Sequence, residues 1–104
     1  MDKKNDKPAV AVIGGGAAGF FTAVNAARLN RALRVTIYEK SKEVLSKVRV
    51  SGGGRCNVTH HCFDPEELAA HYPRGSNVLR WSFEQFQARD TVEWFESRGV
   101  RLKT

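Results

Sequence analysis

The 104-residue sequence is poor in cysteine, proline and methionine, and it has no long hydrophobic run. Two cysteines are too few for a disulfide-stabilised secreted scaffold, so we expect reduced thiols and a cytoplasmic protein. The opening residues, MDKKNDKP, lack the apolar core of a signal peptide. No apolar stretch approaches the roughly 20 residues that span a bilayer, so we expect no membrane partner. These absences leave a soluble globular chain as the expected class.

The net charge of +6 is unevenly distributed. Residues 34–55 carry six basic and two acidic side chains, whereas residues 56–104 carry six basic and seven acidic ones. A long nucleic acid would favour a broad basic face, so this distribution argues against such a partner. An excess confined to one segment suits a compact anion such as a pyrophosphate. Residues 1–8 are expected to be a flexible basic tail, and 9–104 the folded part.

The first half of the folded part predicts a strand, a helix and a second strand. The apolar run Ala9–Ile13 is typical of a fully buried strand. Small and apolar residues recur at helical spacing over Ala17–Leu29, where Asn30 can cap the end. Val35 and Ile37 alternate in a strand over 34–39, and residues 40–63 look irregular.

The second half predicts helices. Asp64 is expected to be an N-cap, followed by Pro65 and by Glu67 bonding back to the cap, in a helix ending near His71. Further helices are predicted over 77–87 and 90–98, the latter ending before Gly99. A strand is predicted to begin at 100–102. The aromatic residues of these helices have the spacing of core residues, namely Trp81, Phe83, Phe86, Trp94 and Phe95.

The first glycine run has the spacing of a dinucleotide-binding turn. Gly14, Gly16 and Gly19 follow a predicted strand and open a predicted helix, and Glu39 ends the next strand twenty residues after Gly19. Gly14 would allow the tight turn, Gly16 the approach of a pyrophosphate, and Gly19 close packing of helix and strand. The helix N-terminus, with the amides of Ala17 and Ala18, would face the phosphates. The alternative is a structural glycine turn with an exposed Glu39.

Glu39 restricts the ligand. A carboxylate at this position can accept hydrogen bonds from ribose hydroxyls but would repel a 2′-phosphate, which disfavours NADP. FAD and NAD both offer a free 2′-hydroxyl, so this unit alone does not separate them.

The second glycine run carries a family resemblance. The segments KVRVSGGGRCNVTH at 47–60 and FEQF…DTVEWFESRGVRLKT at 83–104 resemble the bacterial BaiN/YhiN-type family of NAD(P)/FAD-dependent oxidoreductases. His60 stands where that family usually has Asn, and Val48-Arg49 replace a Leu pair. The resemblance implies a partial Rossmann-like α/β fold, FAD as cofactor, NAD(P)H as a candidate electron donor, and a small-molecule substrate that these residues do not select. It also implies that 9–104 is the amino-terminal part of a longer FAD-binding domain with an incomplete sheet, whose exposed strand edges would favour self-association.

The same resemblance implies that the second glycine run lies along the flavin. Three glycines can expose backbone N–H groups to an anion or a flat ring, and Lys47 and Arg55 can supply positive charge. The alternatives are a solvated Lys47 and a loop-bracing Arg55. The cofactor-binding residues predicted by the two runs together are Gly14, Gly16, Ala17, Ala18, Gly19, Glu39, Lys40, Lys47, Gly53, Gly54, Arg55, Cys56 and Asn57.

No catalytic residue and no metal ligand is predicted. Cys56 and Cys62 are one residue too far apart for the CxxxxC pair of flavoprotein disulfide reductases, and we expect a free, partly buried Cys56. His60 and His61 lack the paired spacing of zinc sites. Two functions remain open: part of a flavin-dependent oxidoreductase that binds the ADP portion of FAD, or a non-enzymatic nucleotide- or nucleic-acid-binding module.

Overall fold

The computed structural model describes residues 7–104, so most of the predicted basic tail lies outside the described residues. The chain divides into two compact regions, one up to Asn57 and one over Val58–Thr104. Each is described by itself. The helices and strands, in chain order, are β1 Ala9–Ile13, α1 Ala17–Leu29, β2 Arg34–Tyr38, α2 Ser46–Val50, α3 Pro65–Ala70, α4 Ser76–Gln85 and α5 Ala88–Glu96.

The first region is a β-α-β unit. Strands β1 and β2 pair in parallel, with Ala9 opposite Arg34 and Ile13 opposite Tyr38, and α1 is the crossover between them. The predicted α/β class and the bounds of β1 and α1 are therefore confirmed, and β2 ends one residue before Glu39. The prediction of a fully buried β1 is wrong: only Val12 is buried, and Ile13 is 81% exposed. The described sheet has two strands, too few neighbours to cover both faces of β1.

Glycine 19 is required where α1 crosses the first turn. A Cβ added there would overlap the carbonyl oxygen of Gly14 and lie 3.4 Å from Cγ1 of Val12. Ala23, one turn later, is buried. The predicted close packing of helix and strand at Gly19 is therefore present in the structure.

The sequence predicted that residues 40–63 are irregular, and this prediction is wrong for part of the segment. The short helix α2 begins after Leu45 and is followed by a tight turn over Ser51–Gly54. Gly52, Gly53 and Gly54 all have positive φ, at 61°, 66° and 92°. The helix escaped prediction because five residues show little more than one helical turn of periodicity.

The second region is helical. Helix α3 begins as predicted, since the Asp64 side chain accepts hydrogen bonds from the amides of Glu66 and Glu67 at 2.9 and 3.4 Å. The reciprocal capping box predicted here occurs instead at α5. There the backbone N–H of Gln87 donates to Asp90 Oδ2 at 2.8 Å, and the side-chain oxygen of Gln87 accepts from the backbone N–H of Arg89.

The core of the second region is small and lies where α3 packs on α4. The buried residues of this region are Leu68 and Ala69 on α3 and Ala88 at the start of α5. The predicted core positions of Trp81 and Phe86 are wrong, because these side chains are 65% and 40% exposed. Trp81 lies on α4, which has no buried residue, and Phe86 lies just past the helix end.

No strand forms at 100–102, and this prediction is wrong. After Gly99, which has a φ of +85°, these residues pair with no strand of the described chain. Between residues 7 and 104 there is no helix whose length and apolarity would suit it to span a bilayer.

Candidate dinucleotide-binding site

The glycine turn after β1 is held to the end of β2 by backbone hydrogen bonding. The Gly14 amide donates to the Tyr38 carbonyl at 2.8 Å, extending the strand pairing by one residue. The φ of Gly14 is +104°, a conformation that other residues rarely adopt. The chain therefore turns at Gly14, and α1 begins three residues later at Ala17.

Gly15 is fixed on both sides. Its amide donates to Oε1 of Glu39 at 2.8 Å, and its carbonyl accepts from the Leu45 amide at 2.7 Å. A Cβ on Gly15 would lie 3.0 Å from Cγ1 of Val44 and 3.2 Å from Cβ of Glu39. The motif spacing assigns no role to Gly15, because the GxGxxG spacing carries no information about the chain that follows β2.

Gly16 and the first turn of α1 form an open, positively polarised end. Gly16 is the N-cap, no side chain caps the helix, and the first turn contains no acidic residue. A Cβ on Gly16 would meet no atom within 4 Å, so this glycine faces open space that a ligand can enter. The first-turn amides and the helix dipole both favour an anion there.

Glu39 is held ionised beside this end. Its two carboxylate oxygens accept from the amides of Gly15 and Ser41, each at 2.8 Å. The Ser41 amide, followed by the Gly15 amide, lowers the pKa of Glu39 from 4.5 to about 2. A carboxylate has about four acceptor positions, so capacity remains for ribose hydroxyls. The side chain is half-buried and can reach solvent or a ligand.

A cavity of about 350 Å³ joins these features. It contains the N-cap of α1, the Glu39 side chain and the start of α2, which carries Lys47. Its lining consists of Gly15, Gly16, Ala17, Glu39, Ser41, Glu43, Leu45, Ser46, Lys47 and Val48. Four of the predicted cofactor-binding residues therefore meet at one cavity, namely Gly16, Ala17, Glu39 and Lys47. Glu43, Leu45 and Ser46 were missed, since no motif marks them.

The remaining predicted residues are placed outside the lining of this cavity. Gly14 and Gly19 belong to the glycine turn but do not line the cavity. Ala18 and Lys40 are next in sequence to the lining residues Ala17 and Glu39. Gly53, Gly54, Arg55, Cys56 and Asn57 belong to or follow the second glycine turn. Their contact with a cofactor stays a prediction.

The second glycine turn is closed by its own hydrogen bonds. The Ser51 hydroxyl donates to the Val48 carbonyl and accepts from the Asn57 amide, both at 3.2 Å. A Cβ on Gly52 would lie 2.9 Å from Oδ1 of Asn57, so the Asn57 side chain lies across the glycine. The turn thus has an internal frame, with Gly53 and Gly54 left open on one side.

The cysteines and histidines of residues 7–104 form no cluster that could hold a metal ion. Both thiols are free, and Cys56 is exposed, which corrects the prediction of a partly buried thiol. The glycines around Cys56 offer no side chain to cover it. The His60 and His71 rings lie 4.4 Å apart, centroid to centroid. No group of three or more candidate ligands occurs in the described part of the chain.

The donor set of the cavity fits a nucleotide diphosphate. Uncapped helix amides, an open glycine and a lysine suit the phosphates, and an ionised carboxylate suits the ribose. The residues that the glycine spacing predicted at the phosphates and the ribose, Gly16 and Glu39, therefore line one cavity, and their contact with a nucleotide stays a prediction.

Comparison with known proteins places these features in a family. A family model described as the HI0933-like protein Rossmann domain matches residues 8–104. A 3-dehydro-bile acid delta(4,6)-reductase of Clostridium scindens is 34% identical over 96 residues, covering 91% of this chain and 22% of that protein. Ribosomal RNA dihydrouridine synthases of Haemophilus influenzae and Escherichia coli are each 30% identical, covering 88% and 82% of this chain. The chain spans 22 to 23% of the length of these relatives.

Proposed function

The chain belongs to the family of HI0933-like Rossmann domains, and we propose that it binds the ADP portion of FAD as part of a flavin-dependent oxidoreductase. The observation that carries this proposal is the shared cavity, where the open N-terminus of α1 faces the same space as the ionised Glu39. A nucleotide diphosphate presents those two partners, phosphates and ribose hydroxyls, next to each other.

In the proposed complex the pyrophosphate lies against Gly16 and the first turn of α1. The amides of Ala17, Ala18 and Gly19 donate to the phosphates, and Lys47 adds positive charge from α2. The ribose hydroxyls donate to Glu39. A 2′-phosphate is repelled by this carboxylate, because its low pKa keeps it charged throughout the physiological range.

FAD rather than NAD is proposed for two reasons. The names of the relatives describe reductions, namely a bile acid reductase and synthases of dihydrouridine, the hydrogenated form of uridine. The second glycine turn also leaves Gly53 and Gly54 open, as expected of a backbone that meets a flat ring. Bound FAD supplies two-electron transfer, and the residues 53–57 are proposed to lie along its flavin. NAD(P)H is the proposed electron donor and the cytoplasm the proposed location.

Two substrate classes follow from the relatives. A small molecule with a reducible carbon–carbon double bond corresponds to the bile acid reductase. Uridine in RNA is the second candidate, and it is favoured by the names of two relatives. The described residues of the cavity contact the nucleotide side of the proposed cofactor and do not choose between these substrates.

The test is a set of titrations on the purified chain with FAD, ADP, NADP⁺ and a uridine-rich oligonucleotide. FAD and ADP are expected to bind and to compete with each other, and NADP⁺ is expected to bind at least about tenfold more weakly because of Glu39. Binding of the oligonucleotide without competition by ADP would support a separate RNA surface. A chain that binds neither FAD nor ADP, or that prefers NADP⁺, would contradict the proposal.

A further inference from the structure

Leu45 has an unusual backbone conformation next to the proposed cofactor site. Its φ of 56° and ψ of 29° lie in the left-handed region, and within residues 7–104 it is the only non-glycine residue with positive φ. Leucine gains nothing locally from this conformation, since its side chain makes no hydrogen bond that could stabilise it. Such strain persists only where surrounding contacts hold it.

Two backbone hydrogen bonds hold Leu45, one to the glycine turn and one within α2. Its amide donates to the Gly15 carbonyl at 2.7 Å, and its carbonyl accepts from the Arg49 amide at 3.0 Å. The first bond ties Leu45 to the glycine turn, and the second starts α2, which brings Lys47 to the cavity. The left-handed conformation lets one residue make both bonds.

The bond to Gly15 sets the direction of the next amide. No cis peptide bond occurs in the described residues, so the Gly15–Gly16 peptide is planar and trans. In such a peptide the N–H points opposite to the C=O. Once the Gly15 carbonyl is directed at Leu45, the Gly16 N–H is directed away from it. Gly16 lines the cavity, and a Cβ on it would meet no atom within 4 Å, so its backbone is open to a ligand there.

We infer that Leu45 is a positioning residue: its left-handed backbone fixes the Gly15–Gly16 peptide so that the Gly16 amide is pre-oriented for the pyrophosphate. The inference rests on the proposed function and deepens it. The close packing of Val44 on Gly15 supports this inference. A Cβ on Gly15 would lie only 3.0 Å from Cγ1 of Val44, so the segment that carries Val44 and Leu45 cannot move closer to Gly15.

The test compares three substitutions with different backbone preferences. Leu45→Asn and Leu45→Gly tolerate the left-handed region, whereas Leu45→Val disfavours it because of its branched Cβ. If the backbone matters, the Asn and Gly variants keep the affinity for FAD and ADP, and the Val variant loses about tenfold or more. If Leu45 acts only through apolar contact in the cavity, the order reverses, because valine keeps an apolar side chain and asparagine and glycine do not.

Two controls separate positioning from loss of structure. Leu29→Val makes the same chemical change at a 73% exposed helical position, and it should leave both affinities unchanged. Adenosine, which lacks the pyrophosphate, should bind Leu45→Val as it binds the unsubstituted chain, whereas partial unfolding would weaken adenosine and ADP together. Equal affinities across the Leu45 series, or the reversed order, would overturn the inference and leave the proposed function standing. An unsubstituted chain that binds neither FAD nor ADP would overturn both.

Discussion

The two regions of the chain are built by different means. The region up to Asn57 contains seven of the nine glycines, and a backbone amide donates each of the hydrogen bonds that hold its first glycine turn to Tyr38, Glu39 and Leu45. The region Val58–Thr104 is helical and uses side chains, with Asp64 and Gln87 capping helices and Arg98 lying 4.1 Å over the Trp94 ring. The first region thus leaves the first turn of α1 without a side-chain cap, whereas the second region caps α3 and α5, though not α4, with its own side chains. Predictions that separate folding from binding therefore test this contrast.

Gly19→Ala should give the largest effect, and it should be an effect on folding. The added Cβ would overlap the Gly14 carbonyl oxygen, so α1 must move away from β1. We expect the free energy of unfolding to fall by about 3 kcal/mol, as in severe overpacking. Gly99→Ala is the matched control in the second region. Its Cβ would meet open space, and its positive φ costs about 1 kcal/mol. Urea unfolding curves measure both, and equal losses would contradict the packing argument.

Gly16→Val should abolish cofactor binding with little effect on folding. Gly16 has a φ of −96° and ψ of −165°, an extended conformation that valine accepts, and its Cβ would meet no protein atom within 4 Å. The branched side chain would occupy the space of the pyrophosphate, and we expect a loss of about 100-fold or more in affinity for FAD. Normal flavin content in a folded Gly16→Val protein would show that the phosphates lie elsewhere.

These two glycines also show what the sequence can and cannot predict. The motif spacing correctly predicted the strand, turn and helix around Gly14 and Gly16, because these positions obey a local geometric rule. Cofactor binding at Gly16 and Glu39 stays a prediction. The motif spacing could not reveal the constraint on Gly15 and Leu45, because these two residues hydrogen-bond to each other across thirty positions of the sequence. In the second region helical periodicity located the helices but placed Trp81 in the core, since periodicity identifies a face and not what covers that face. Contacts distant in sequence were the part left unpredicted.

Glu39→Gln should lower the affinity for FAD by about tenfold. The amide can keep one hydrogen bond to the ribose but loses the stronger, charge-assisted one. Glutamine also has one acceptor oxygen in place of two, because its NH₂ group only donates, so it cannot accept from both the Gly15 and Ser41 amides as the carboxylate does at 2.8 Å. The same variant should narrow the preference for FAD over NADP⁺. An unchanged dissociation constant in fluorescence titration would remove Glu39 from the ribose site.

The acid sensitivity of the first region should follow Glu39. Its folded-state pKa is lowered from 4.5 to about 2, so the carboxylate stabilises the fold above pH 4.5. That contribution is lost as the pH falls from about 5 towards 2, through the folded pKa. The Glu39→Gln chain should lose less stability over this interval than the unsubstituted chain. Parallel acid-unfolding curves for the two proteins would contradict the assignment.

Asp64→Ala should have the smallest effect, confined to the second region. The carboxylate of Asp64 accepts from two first-turn amides of α3, and removing such a cap costs about 1 kcal/mol. Asp64→Asn keeps a capping oxygen and should recover most of that loss. Amide exchange at Glu66 and Glu67 should quicken in the Ala variant only, and the FAD affinity should stay unchanged in both. A drop in FAD affinity in the Ala variant that Asn restores would mean that the second region also affects cofactor binding. The proposed contrast, in which only the first region affects the cofactor, would then be wrong.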